Sequence, residues 1–185
     1  MNVPNIRLKE RTLVVGLGSS HGDDQAGWKV IEQLELIQLP GVELRRANVP
    51  HDIVDWLDGQ GTLHLIDACV NEAFSEKRKG NTHRRFEMVK GNGDSKPYFH
   101  FRDSSPQCST MLSIDRPENL RSAGSHQIDS FAVLELASCL KRLPKHVLIW
   151  CIPGNHFAPG DTITTDCEAA ISSCVVQLSQ DLGNA

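Results

Sequence analysis

No apolar run in the 185-residue sequence approaches the roughly 20 residues that a membrane-crossing helix needs, and mean hydropathy is -0.29. The segment from Met1 to Arg11 is mixed polar and charged, so it does not read as a secretory signal. Basic blocks are missing as well. Nineteen Lys and Arg stand against 23 Asp and Glu, a formal charge of -4, which argues against nucleic-acid binding as the main activity. The six cysteines (69, 108, 139, 151, 167 and 174) include no C-x-x-C pair, so neither a zinc ribbon nor a disulfide framework is expected. Cys69, Cys139, Cys151 and Cys174 fall in apolar periodic segments and read as small buried hydrophobes. Reduced thiols and a cytoplasmic location are the expectation. No internal repeat divides the chain.

What is present is an alternation of strand and helix signals. Leu13 to Gly18 and Leu63 to Val70 are short apolar runs that read as buried strands, as does His146 to Ile152, ended by Pro153-Gly154. Val42 to Ala47 and Arg84 to Lys90 alternate apolar and charged residues like half-covered strands. Helical spacing links Gly27, Val30, Ile31, Leu34 and Ile37, then Ile53, Val54 and Leu57 in a short helix, then Val133, Leu136, Ala137 and Leu140. The final helix carries the face Cys167, Ala170, Ile171, Cys174, Val175, Leu178 and Leu182, opened by a Thr165-x-x-Glu168 capping box. This pattern predicts one α/β domain over residues 1–185, with a twisted, mainly parallel sheet of about five strands and helices on both faces. A long irregular insertion is expected at about 91–122, acting as a lid or partner-binding surface or as a passive surface loop.

Ligands of open α/β sheets gather outside the carboxyl ends of the strands. Three such ends here carry polar residues: Gly16 to Asp24 after the first strand, Asp67 closing the second buried strand, and Ser125-His126-Gln127 before the apolar helix. The glycines at 16, 18 and 22 are one residue too long for G-x-G-x-x-G, and Asp23 and Asp24 would repel a pyrophosphate. Neither G-x-x-x-x-G-K-S/T nor G-x-S-x-G occurs. Asp23 reads best as a helix cap, and Asp24 equally as a cap or a ligand. Asp67 needs a cation or several donors, which an ion pair would also supply. A lone His126 is more often a satisfied, half-buried side chain. Taken together, two carboxylates and one imidazole at one sheet edge suit an open site for a divalent transition metal.

These residues resemble the hydrogenase maturation endopeptidases, which trim the large subunit of nickel-iron hydrogenases. Leu13 to Ser19 with Asp23-Asp24 and Gly27 is similar to that family's opening strand, glycine loop and acidic pair. Leu65-Ile66-Asp67-Ala68 resembles its second motif, and Ser125-His126-Gln127 with the following helix and Val147 to Pro153 its third. Gly160 to Thr164 and the last helix resemble its closing segment. The resemblance implies an endopeptidase that removes a C-terminal extension from a large subunit precursor. It also implies metal ligands, and hence catalytic residues, at Asp24, Asp67 and His126, with nickel as the metal and zinc or cadmium as surrogates. A monomer is expected.

The sequence departs from the family in carrying Ser19 for its usual Asn, Asn48 to His51 for a glycine-rich turn, and a longer stretch between Asp67 and His126. The departures bring His21 and His51 into view as further metal neighbours, against the plainer reading of both as solvated loop histidines. Two other functions use the same residues. One is a non-catalytic nickel or zinc carrier with the same three ligands. The other is a hydrolase built on Ser19 or Ser20 with His126 and Asp67, for which no oxyanion motif is present.

Overall fold

The computed structural model describes residues 11–70, 83–90, 99–103, 113–114 and 130–183. In chain order these form β1 (Arg11–Leu17), a 3₁₀ turn (Gly22–Gln25), α1 (Ala26–Glu35), β2 (Val42–Ala47) and a second 3₁₀ segment (Pro50–Trp56). There follow β3 (Gln60–Val70), β4 (Arg84–Lys90), β5 (Phe99–Asp103), β6 (Ser113–Ile114), α2 (Ser130–Cys139), β7 (His146–Gly154) and α3 (Thr165–Gly183). The strands make one sheet in the order β2-β1-β3-β7-β4-β5-β6. β2, β1, β3 and β7 run parallel, and β4, β5 and β6 continue the sheet antiparallel.

The α/β class and the largely parallel sheet with helices on both faces agree with the sequence pattern. The five anticipated strands are β1, β2, β3, β4 and β7. Two more, β5 and β6, arise within 91–122, so that stretch is not wholly irregular; its other residues, and those from 115 to 129, lie outside the described residues.

Helices on both faces explain why the central strands are apolar almost without interruption. Successive side chains of a strand point to opposite faces. Leu13, Val15, Leu17, Leu63, Leu65 and Ile149 therefore meet Ile53 and Leu57 of the second 3₁₀ segment and Phe131, Leu134 and Ala137 of α2. Val14, Ile66, Trp150 and Ile152 pack on the opposite side against α1 and α3.

Five local expectations need correction. Ile37 lies beyond the end of α1 and is exposed. Leu136 and Leu140 are about half exposed, whereas Phe131, Val133, Leu134 and Ala137 are buried. α2 is so apolar all round that its spacing does not single out one face. Cys139 shares that outward side and is exposed, while Cys69, Cys151, Cys167 and Cys174 are buried. The cap of α3 is Thr164 rather than Thr165: the Cys167 amide donates to Thr164 Oγ1 at 3.3 Å. β7 runs on through Pro153 and Gly154, paired with Cys69 and Val70 of β3. Its register with β4 begins at Cys151, so beyond that residue β7 has one strand neighbour, and a proline lacking its N–H fits such an edge.

α2 ends in a Schellman turn, with the Arg142 amide donating to Ala137 O (2.9 Å) and the Lys141 amide to Ser138 O (3.0 Å). The left-handed residue this turn requires is Lys141, at φ 58°, where glycine is usual. On the α3 face, Trp150 gathers a buried polar cluster. Its Nε1 donates to His64 Nδ1 at 3.1 Å. His83 lies 5.4 Å from it between ring centroids and hydrogen-bonds Gln177 of α3. Arg85 of β4 sits over the indole and pairs with Asp181 of α3. Burial, aided by the positive charge of Arg85, pushes the His64 imidazole down to about 4. His83 is lowered as well, by burial, against the opposing pull of the Gln177 bond.

Candidate functional site

The parallel strands β2, β1, β3 and β7 place their carboxyl ends along one edge, where open α/β sheets bind ligands. After β1 the chain folds back tightly. Gly18 N donates to Ala47 O at the end of β2 (3.2 Å), Ser19 N to Asp24 O (3.3 Å) and Asp24 N to His21 O (3.0 Å). The 3₁₀ turn and the start of α1 then cross the ends of β1 and β3. Gly27 lies against the carbonyls of Leu17 and Ile66 so closely that a Cβ there would collide with both. The close approach brings the acidic pair to the strand edge that also carries Asp67.

The two members of the pair do different things. Asp23 is fully buried and accepts four donors from the segment between β7 and α3. Its Oδ2 receives the amides of Asn155 (2.8 Å) and His156 (3.1 Å). Its Oδ1 receives the Thr164 amide (2.7 Å) and hydroxyl (3.0 Å). Burial alone would raise this carboxyl, but the Asn155, Thr164 and His156 amides and the Thr164 hydroxyl outweigh it and hold it below the ordinary aspartate range. Asp23 is thus a structural acceptor, as expected, although the helix it serves is α3 and not its own. Asp24 is 2% exposed, and its Oδ1 has no hydrogen-bond partner among the described residues.

Asp67 lies on β3 opposite Cys151 and is also buried. Its Oδ2 accepts the hydroxyl of Ser130, the first residue of α2, at 3.4 Å. His126 lies outside the described residues. His51 is exposed at the start of the second 3₁₀ segment, and His21 is half-buried in the loop before Asp24. Among the described residues no three His, Cys, Asp or Glu side chains form a group able to hold a metal, so neither histidine completes a triad with Asp24 and Asp67. A buried carboxylate with an unpartnered oxygen, as at Asp24, is nonetheless the donor chemistry that a hard or borderline cation takes up.

Sequence reasoning missed Ser130 and Thr164. The only signals were a serine opening an apolar helix and a threonine one position before the assumed cap.

No protein-family model matches the chain, and no curated protein does. Solved structures do. The hydrogenase maturating endopeptidase HybD from E. coli superposes with a TM-score of 0.64 at 19% identity, covering 94% of this chain and 93% of that one. The NiFe hydrogenase maturation protease HycI from Thermococcus kodakarensis KOD1 gives 0.62 at 13% identity, covering 94% and 92%. A hydrogenase 2 maturation peptidase from Thaumarchaeota archaeon SCGC_AB-539-E09 gives 0.56 at 18% identity, covering 94% and 99%. Over the described residues, the chain has the fold of the hydrogenase maturation endopeptidases.

Proposed function

We propose that this protein is an endopeptidase that removes a C-terminal extension from the large subunit precursor of a nickel-iron hydrogenase. The observation that carries the reading is Asp24: a buried carboxylate with an unpartnered oxygen, on the strand edge that bears Asp67, in a chain with the maturation-endopeptidase fold. Leaving such a group undonated costs folding free energy unless a cation arrives. Asp24, Asp67 and His126 would hold the nickel, which in this reading arrives with the precursor as part of the substrate. His126 precedes Ser130 by four residues, which span at most about 14 Å. Since Ser130 is hydrogen-bonded to Asp67, chain length supports His126 as the third ligand.

Nickel bound there would polarise the scissile carbonyl or lower the pKa of a water. The chain's own contribution is to hold two buried carboxylates at one sheet edge, Asp24 from the 3₁₀ turn after β1 and Asp67 from β3. In the same reading the protein acts as a monomer in the cytoplasm. Among the described residues no helix is long and apolar enough to cross a membrane. Incubation with a nickel-loaded precursor is the test. Release of the C-terminal extension, lost in Asp24→Ala and Asp67→Ala, is the expected result. Binding of the loaded precursor without cleavage would replace the peptidase with a nickel carrier.

A further inference from the structure

Asp23 does more than satisfy its own burial. Its two oxygens collect donors from three residues far along the chain, Asn155, His156 and Thr164, and the main chain repeats the attachment. Asp23 N donates to His156 O at 2.7 Å and Gly22 N to Asp161 O at 3.0 Å. Gly22 is left-handed at φ 49°, and a Cβ there would strike the His156 carbonyl, so the turn and the segment are in direct backbone contact. Thr164 extends the chain of contacts. Its hydroxyl donates to Asp23 and accepts the Cys167 amide, so the first turn of α3 is keyed to the same carboxylate. The residue after Asp23 is Asp24, whose amide and carbonyl are both committed within the turn, to His21 and Ser19. Among the described residues, nothing hydrogen-bonds the buried Oδ1 of Asp24.

We propose that Asp23 is a positioning residue: by pinning segment 155–164 to the 3₁₀ turn, it fixes the direction in which Asp24 presents its carboxylate. The inference rests on the metal-site reading above for its consequence and on the hydrogen bonds alone for its mechanism. A residue that merely tethered the segment would, when weakened, loosen residues 155, 156 and 164 and lower the melting temperature. A positioning residue loosens the turn as well.

The test uses Asp23→Asn, which turns one acceptor into a donor facing amide donors, and the milder Thr164→Val, which removes the hydroxyl alone. Both are studied well below their melting temperatures. Amide hydrogen exchange is expected to rise ten-fold or more at Ser19 and Asp24 in Asp23→Asn, in addition to Asn155, His156 and Thr164. Nickel affinity, measured calorimetrically with Ni²⁺ alone, is expected to fall about ten-fold or more while far-UV dichroism is unchanged. Unchanged exchange at Ser19 and Asp24 in a folded variant overturns the proposal, as does parental nickel affinity in that variant. If Asp23→Asn does not fold, Thr164→Val decides by the same two measurements, with a three-fold change as the threshold. If the parent itself binds no nickel, the metal-site reading fails, and exchange at Ser19 and Asp24 still settles whether Asp23 orders the turn.

Discussion

Acidifying the protein through the range between about 6.5 and about 4 should destabilise it measurably, because the unfolded chain takes up a proton at His64 that the folded protein resists. His64 is buried against Trp150, its Nδ1 accepts the indole N–H, and its folded-state pKa is about 4 against an ordinary value of 6.5. The folded state therefore binds this proton less readily than the unfolded state. Its neutral form contributes fully above pH 6.5, and the contribution is lost as pH falls toward 4. At 1.36 kcal/mol per pKa unit the full loss is about 3 kcal/mol, of which roughly 2–3 kcal/mol is expressed by pH 4.5. Against a typical domain stability of roughly 5–15 kcal/mol that is a large fraction. The assay is urea unfolding at pH 7.5 and 4.5, followed by tryptophan emission, for the parent and for His64→Asn. Asparagine keeps an acceptor near the Nδ1 position but does not titrate. The variant should be less stable than the parent at pH 7.5, because it leaves a cavity, yet lose about 2 kcal/mol less on acidification. Equal losses in the two proteins would refute the reasoning. His83, lowered in the same direction, adds to the parent's slope and is common to both.

Lys141→Gly should stabilise the protein by about 0.5–1 kcal/mol in the same urea titration, because glycine occupies the left-handed end of α2 without a Cβ penalty. Gly27→Ala should cost about 3 kcal/mol or prevent folding, since its methyl meets the Leu17 and Ile66 carbonyls; thermal melts will show it. Asp24→Asn is expected to leave the melting temperature level or raise it while abolishing nickel binding by calorimetry, because it replaces a buried carboxyl group whose Oδ1 has no hydrogen-bond partner among the described residues. In the native protein a thiol reagent should modify Cys139 and spare Cys69, Cys151, Cys167 and Cys174 until denaturant is added, as read by mass spectrometry of the digested peptides. Burial pushes the Cys167 and Cys174 thiols up, which reinforces that protection.

The parallel core was legible because burial on both faces leaves a plain mark in sequence: apolar runs at β1, β3 and β7, with helical spacing between them. The buried face of α3 was legible for the same reason, residue for residue. α2 was not, since a helix apolar on every side offers several faces and only the shape of the sheet chooses among them. The end of α2 was hidden because a lysine stands where glycine would have announced a Schellman turn. Strands β5 and β6 pair at a sheet margin, where alternation is weak. At the site, Asp24 and Asp67 stood out as charges that a plain core would avoid. Their supports, Ser130 and the Asp23–Thr164 pairing, join residues 63 and 141 positions apart, and no local pattern encodes such a distance.

The placement of β7 has a bearing on how the molecule comes into being on the ribosome. Residues 146–154 take the position between β3 and β4, strands made long before them. Until that late stretch emerges, β3 and β4 each offer an unpaired backbone edge, the kind of surface on which nascent chains aggregate. The segment that Asp23 grips, 155–164, follows directly behind β7. The carboxyl edge therefore takes its final shape only when synthesis has passed Thr164, and a nascent chain stalled before that point holds both carboxylates but not the fold that orients them.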